Sequence, residues 1–146
     1  MEQVKKVSPN NSIVERAEGV IKKLKLDKYG KIALKTNQIR KILTAVNILA
    51  NKVAIYKAEN PGTKYLSEEL VAEVQYLQVK LVYQVGREKK DTKQQFQPGP
   101  VEDFISNAKL INAVRSIDNS IVKFENFNRY MEALVAYHKF YGGKDA

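Results

Sequence analysis

Apolar residues along this chain recur every three or four positions, and no stretch alternates with period two for long enough to make a strand. The heaviest such pattern lies at the C-terminal end, Phe124 to Gly143, which holds three of the five Phe, three of the eight Tyr and the only His. Wound at 100° per residue, Phe124, Phe127, Tyr130, Met131, Leu134, Val135, Tyr137, His138 and Tyr141 fall on one broad face, with Glu125, Arg129, Glu132 and Lys139 opposite. Gly142 and Gly143 then stop the helix, because glycine takes the left-handed C′ conformation without a Cβ penalty. So apolar a helix needs a partner surface, either in the same chain or on another one.

Four further helices are predicted. Ser12 is a credible N-cap for a first helix from Ile13 to about Leu26, with Ile13, Ala17, Val20, Ile21 and Leu24 on one side and Gly19 weakening it. The segment LDKYGK, from Leu26 to Lys31, reads as a connector. A second helix, capped by Thr36 or Asn37, runs until Asn60, Pro61 and Gly62 end it. Ile39, Ile42, Leu43, Val46, Leu49, Ala50 and Val53 form its core stripe, and Arg40, Thr44, Asn47 and Asn51 a polar row. Beside that row run Lys41, Ile48, Lys52 and Ile55. Isoleucines among lysines on the nominally wet side predict a second covering element, a neighbouring helix or a partner.

A third helix starts after Ser67, with Glu68 and Glu69 complementing its dipole, and continues to about Lys90. Its inward stripe is Leu70, Val74, Leu77, Leu81 and Val85. Tyr76, Lys80, Tyr83 and Arg87 make a separate row at spacings of four, three and four. Aromatics interleaved with cations suit both base stacking and phosphate contact, and they equally suit the rim of a core with snorkelling cations. The polar segment from Glu88 to Pro100 is predicted to be a mobile loop, and residues 1 to 11 a polar arm. Pro100 opens a fourth helix through Ile117, carrying Val101, Phe104, Ile105, Ala108, Ile111, Ala113, Val114 and Ile117. The fold class is therefore all-α: one domain, a compact bundle of about five helices.

Charge changes this picture more than composition does. The net charge is +9, and residues 1 to 60 carry 13 Lys plus Arg against 5 acids while the remainder carries 12 against 11. A basic surface attracts phosphate backbones, and twenty Lys among 25 cations suit diffuse phosphate contact better than bidentate base reading. With no Cys and one His, Cys-His nucleophiles and thiolate or histidine-rich metal sites are excluded. No GxxxxGK[ST] or GxGxxG loop occurs. His138 sits mid-face among Met131, Leu134 and Tyr141, where a packed, hydrogen-bonded histidine is expected rather than a general base. The acidic pairs Glu68-Glu69 and Glu102-Asp103 open helices, and the dipole accounts for them. The expectation is a chain with no enzymatic site and no cofactor. Without an apolar run behind the basic residues of MEQVKKVSPNNS, it is expected in the cytoplasm rather than in or across a membrane.

Three segments carry a family likeness: RYMEALVAYHKFYGGK (Arg129 to Lys144), QIRKIL (Gln38 to Leu43) and YLQVKLVYQVGRE (Tyr76 to Glu88). Together they resemble the small subunit of the Csm complex, the type III-A CRISPR effector, in order and spacing. Residues 1 to 35 and 91 to 100 show no such likeness. The resemblance implies a non-catalytic helical protein whose copies stack as a filament beside other Csm subunits, lining the channel where guide RNA pairs with target RNA. Arg40, Lys41 and Lys52, Arg87 and Arg129 are the expected RNA-backbone contacts, joined by Lys80, Lys89 and Lys90. A scaffold subunit with little RNA binding of its own is the competing expectation, and a homodimer of the isolated chain is one way to close the excess apolar surface.

Overall fold

The computed structural model describes the backbone of residues 9–91 and 98–143, with side chains over 13–89 and 98–143. Residues 1–8 of the expected arm and 92–97 of the expected loop lie outside it, as does Lys144. Within the described residues there are six helices: α1 (Pro9–Lys22), α2 (Thr36–Glu59), α3 (Glu68–Asp91), α4 (Pro100–Ala108), α5 (Leu110–Ile117) and α6 (Ile121–Phe140). Two isolated antiparallel bridges, Leu26 with Ile32 and Tyr65 with Ser120, are the only extended pairings among them.

The all-α expectation holds, with three local corrections. The first helix begins at Pro9 rather than after Ser12, since proline's fixed φ and missing N–H suit a first turn. The cap of α2 is Lys35, whose backbone N–H donates to Gln38 Oε1 at 2.9 Å, while Thr36 is already helical and buried. The expected fourth helix is two. Lys109 adopts the left-handed conformation (φ 54°, ψ 43°) and separates α4 from α5. At 100° per residue, a straight helix carrying Val101, Phe104, Ile105 and Ala108 inward would turn Leu110, Val114 and Ile117 to nearly the opposite side. The elbow at Lys109 lets both sets be buried.

α6 is the centre of the bundle, packing against α1, α2 and α5, while α3 packs against α2, α4 and α5. Phe124, Tyr130, Met131, Leu134 and His138 of α6 are all but inaccessible. Tyr141 is the exception to the expected face, being exposed at the helix end with its hydroxyl on Glu18. Ser120 Oγ accepts from Lys123 N at 3.1 Å and starts the helix. Its C-terminus closes over His138. The His138 Nε2–H donates to the Leu34 carbonyl at 2.7 Å, and Gly143 N–H donates to the His138 carbonyl at 2.8 Å. Gly142 has the left-handed φ of 89° expected of a helix stop, whereas Gly143 is required for a different reason: a Cβ there would overlap the imidazole.

The end of α3 is also tied down. Glu88, which the sequence marks as the start of a loop, is buried in α3, and its carboxylate accepts from Val101 N at 2.7 Å and Glu102 N at 3.2 Å. A negative group there satisfies otherwise unpaired N–H groups at the positive end of α4. Asp103, expected only to complement that dipole, also accepts from Lys25 N at 2.8 Å and so joins the segment after α1 to α4.

Candidate nucleic-acid interface

α2 and α3 lie antiparallel, because Lys52 meets Glu73 (2.7 Å) while Lys41, eleven residues earlier, shares a groove with Gln84, eleven residues later. Leu, Val and Ile of both inward stripes pull the two helices onto α6 and α5, which leaves their outer seam to solvent. Along that seam runs a furrow of about 380 Å³, with Ala45, Val46 and Leu77 in its floor and Tyr76, Val79 and Tyr83 on its α3 wall. It passes into a second hollow of about 280 Å³ beside Ile48 and Glu73. Ile48, Ile55, Tyr76, Val79, Val82 and Tyr83 are each more than half exposed. The second cover expected over α2 is therefore not a neighbouring helix of the described chain.

The structure brings some of the expected RNA contacts together and separates others. Lys41 and Lys80 face each other across the furrow, exposed and without an ion pair among the described residues. Arg87 continues the Tyr76, Lys80, Tyr83 row one turn on, and Arg40 stands beside Lys41 on the polar row; both are exposed. Lys52 is paired with Glu73, an ion pair at a half-exposed site worth about 1 kcal/mol at most. Lys89 reaches Glu102 at 3.6 Å, so it belongs to the α3–α4 junction. Arg129 is exposed on α6, held by Asn126 Oδ1 at 3.3 Å, and stands apart from the furrow. The Lys90 side chain lies outside the described residues.

Sequence reasoning missed Val79, which extends the apolar wall beyond the two tyrosines, and Val82, which is exposed on the flank of α3 nearer α4 and α5. The signal was present: apolar residues at 77, 79, 81, 82, 83 and 85 are too many for one inward stripe. Chemically, the seam offers aromatic faces for stacking, cations for phosphate, and an apolar patch of the kind that marks contact with another molecule. Among the described residues, no group of three or more His, Cys, Asp or Glu could hold a metal ion. No helix among them is long and apolar enough to cross a membrane.

A family model described as Csm2 Type III-A matches residues 8–144. Curated relatives agree. A Streptococcus thermophilus protein named "CRISPR system Cms protein Csm2" is 38% identical over 136 residues, covering 93% of this chain and 96% of the relative. A Mycobacterium tuberculosis protein of the same name is 37% identical over 132 residues, 90% of this chain and 93% of its own. One from Enterococcus italicus is 33% identical over 111 residues, 74% and 68% respectively.

Proposed function

The chain belongs to the Csm2 family of type III-A CRISPR systems, and on that premise we propose that it is a non-catalytic structural subunit of a type III-A ribonucleoprotein. It stacks with neighbouring copies of itself and with other Csm subunits, and its Lys and Arg side chains contact the backbones of guide RNA and target RNA. The observation that carries this reading is the α2–α3 seam, where Lys41 and Lys80, without an ion pair among the described residues, line one furrow with exposed Tyr76 and Tyr83, and Arg40 and Arg87 are nearby in sequence on the same two helices. Binding proceeds by counterion release and recognition of backbone shape, and sequence is left to base pairing between the RNAs. A weak contact per subunit becomes strong when several copies line one duplex.

The test is RNA affinity of the full chain across a salt series. An Arg40→Ala/Arg87→Ala double variant should keep its helical circular dichroism and bind more weakly, with the slope of log affinity against log salt falling by about 1 to 2 units. Unchanged affinity and slope would remove both residues. A second reading, a scaffold subunit with little intrinsic RNA binding, is favoured by Ile48, Ile55, Val79 and Val82, which offer phosphate nothing. It predicts flat or absent RNA binding together with self-association that an Ile48→Ser/Val79→Ser variant abolishes in sedimentation.

A further inference from the structure

Away from the α2–α3 seam, a cleft of about 950 Å³ opens between α1, the α4–α5 elbow and α6. Four cations line it, Arg16 from α1, Lys23 just after that helix, Lys109 from the elbow and Lys123 from α6, and no carboxylate does. All four are exposed, and none has an ion pair among the described residues. None was among the residues expected to meet RNA. The Phe127 ring lies between this cleft and the furrow, lining both.

Three observations mark the cleft as more than a solvated rim. Tyr130 is 1% exposed, with its hydroxyl donating to the Ala108 carbonyl at 2.9 Å, and the Arg16 guanidinium lies over its ring at 4.2 Å. That holds the guanidinium plane in place with N–H groups left for an anion. Lys109 holds a left-handed backbone that would suit glycine, yet places a cation at the elbow. Gly19 lines the α1 wall in ordinary helical conformation, and a Cβ there would meet nothing within 4 Å. Neither packing nor backbone geometry asks for glycine at that position, which lowers the stability of α1. Its effect is to keep the wall low where a ligand comes close.

We propose that this cleft binds a segment of single-stranded oligonucleotide, its phosphates on Arg16, Lys23, Lys109 and Lys123. The walls between the cations carry the amides of Asn112 and Asn126 and the hydroxyl of Ser106, which offer donors and acceptors to base edges. Watson–Crick edges are free for such groups only when unpaired and splayed out, so the concavity suits a single strand better than a duplex. The site rests on the RNA-binding reading above but lies on a different surface, so the chain would hold a paired RNA along α2–α3 and an unpaired stretch in the cleft.

The experiment measures anisotropy of a labelled short oligouridine, and of an RNA duplex of equal length, with the full chain. A Lys23→Gln/Lys109→Asn/Lys123→Gln variant should lower the salt slope for oligouridine by about 2, three contacts at roughly 0.7 each, and leave duplex binding nearly unchanged. Gly19→Gln should raise the melting temperature while weakening oligouridine binding, an opposition that loss of folding cannot produce. Oligouridine affinity unchanged in both variants, with the Arg40→Ala/Arg87→Ala variant impaired, would overturn the cleft and leave the RNA reading standing. A wild-type chain that binds neither RNA would overturn both. Polyglutamate binding more tightly than oligouridine would assign the cleft to an acidic protein segment and overturn the ligand class.

Discussion

α3 and α6 are written in similar letters, Tyr and Phe among Leu, Val, Lys and Arg, but the fold gives them opposite surroundings. In α6 Phe124, Phe127 and Tyr130 coincide with the apolar stripe and are buried together with Met131 and Leu134, and of its aromatics only Phe140 at the helix end is mostly exposed. In α3 the stripe is Leu70, Val74, Leu77 and Leu81, and Tyr76 and Tyr83 sit roughly a quarter-turn or more away from it, outside. Neighbours make the same distinction. α6 has helices on three sides, whereas α3 packs against α2 and the α4–α5 pair and leaves its outer side open. Phase relative to the branched aliphatic stripe, rather than aromatic content, separates a core helix from one with a surface to offer.

The sharpest way to break the comparison is to truncate one aromatic from each helix. Tyr130→Ala removes a buried ring and strands the Ala108 carbonyl it serves, so it should cost about 3–5 kcal/mol in urea unfolding. Tyr83→Ala, at a residue that is 63% exposed, should stay within about 0.5 kcal/mol of wild type while weakening whatever docks on the seam. Comparable losses at the two positions would mean that the seam is part of the folding core.

A smaller effect tests how α6 ends. Gly143→Ala places a methyl group against the His138 imidazole, which cannot move away without giving up the Leu34 carbonyl. The substitution should cost about 1–3 kcal/mol, as overpacking of a closed site does. Gly142→Ala should cost roughly 1–2 kcal/mol for the left-handed backbone alone. A His138→Ala background opens the space and should return Gly143→Ala to near neutrality without rescuing Gly142→Ala, and a double-mutant cycle checks this.

Local periodicity and end chemistry were enough to read the stripes of α1, α2, α3 and α6, the stop at Gly142, the Ser67 start and the packed state of His138 from the sequence. What escaped was long-range. The partner of His138 is Leu34, 104 residues away. Glu88 is buried because the chain returns at Val101 to present bare N–H groups, and nothing local to Glu88 reports that return. The exposed furrow was half visible in the cation–aromatic row, but which helix would face the row depends on the antiparallel register of α2 and α3. The cleft draws its cations from α1 and the residue after it, the α4–α5 elbow and α6, and no spacing within one segment could have grouped them.

The elbow itself was legible in principle. Counting Val101 through Ile117 as one stripe accepts apolar residues on both sides of a helix, and Leu110 belongs to the second set; a phase count shows the stripe reversing just after Ala108. That yields the smallest prediction. Lys109 is the only described non-glycine residue with left-handed helical φ and ψ, at a cost near 1 kcal/mol, and Lys109→Gly relieves the Cβ conflict at a partial expense in unfolded-state entropy. The net should be a gain of up to about 1 kcal/mol in urea unfolding, where Lys109→Ala should show none. A loss with glycine would mean that the lysine stem packs at the elbow, and that the reversal of phase between α4 and α5 is held by the side chain rather than by the backbone.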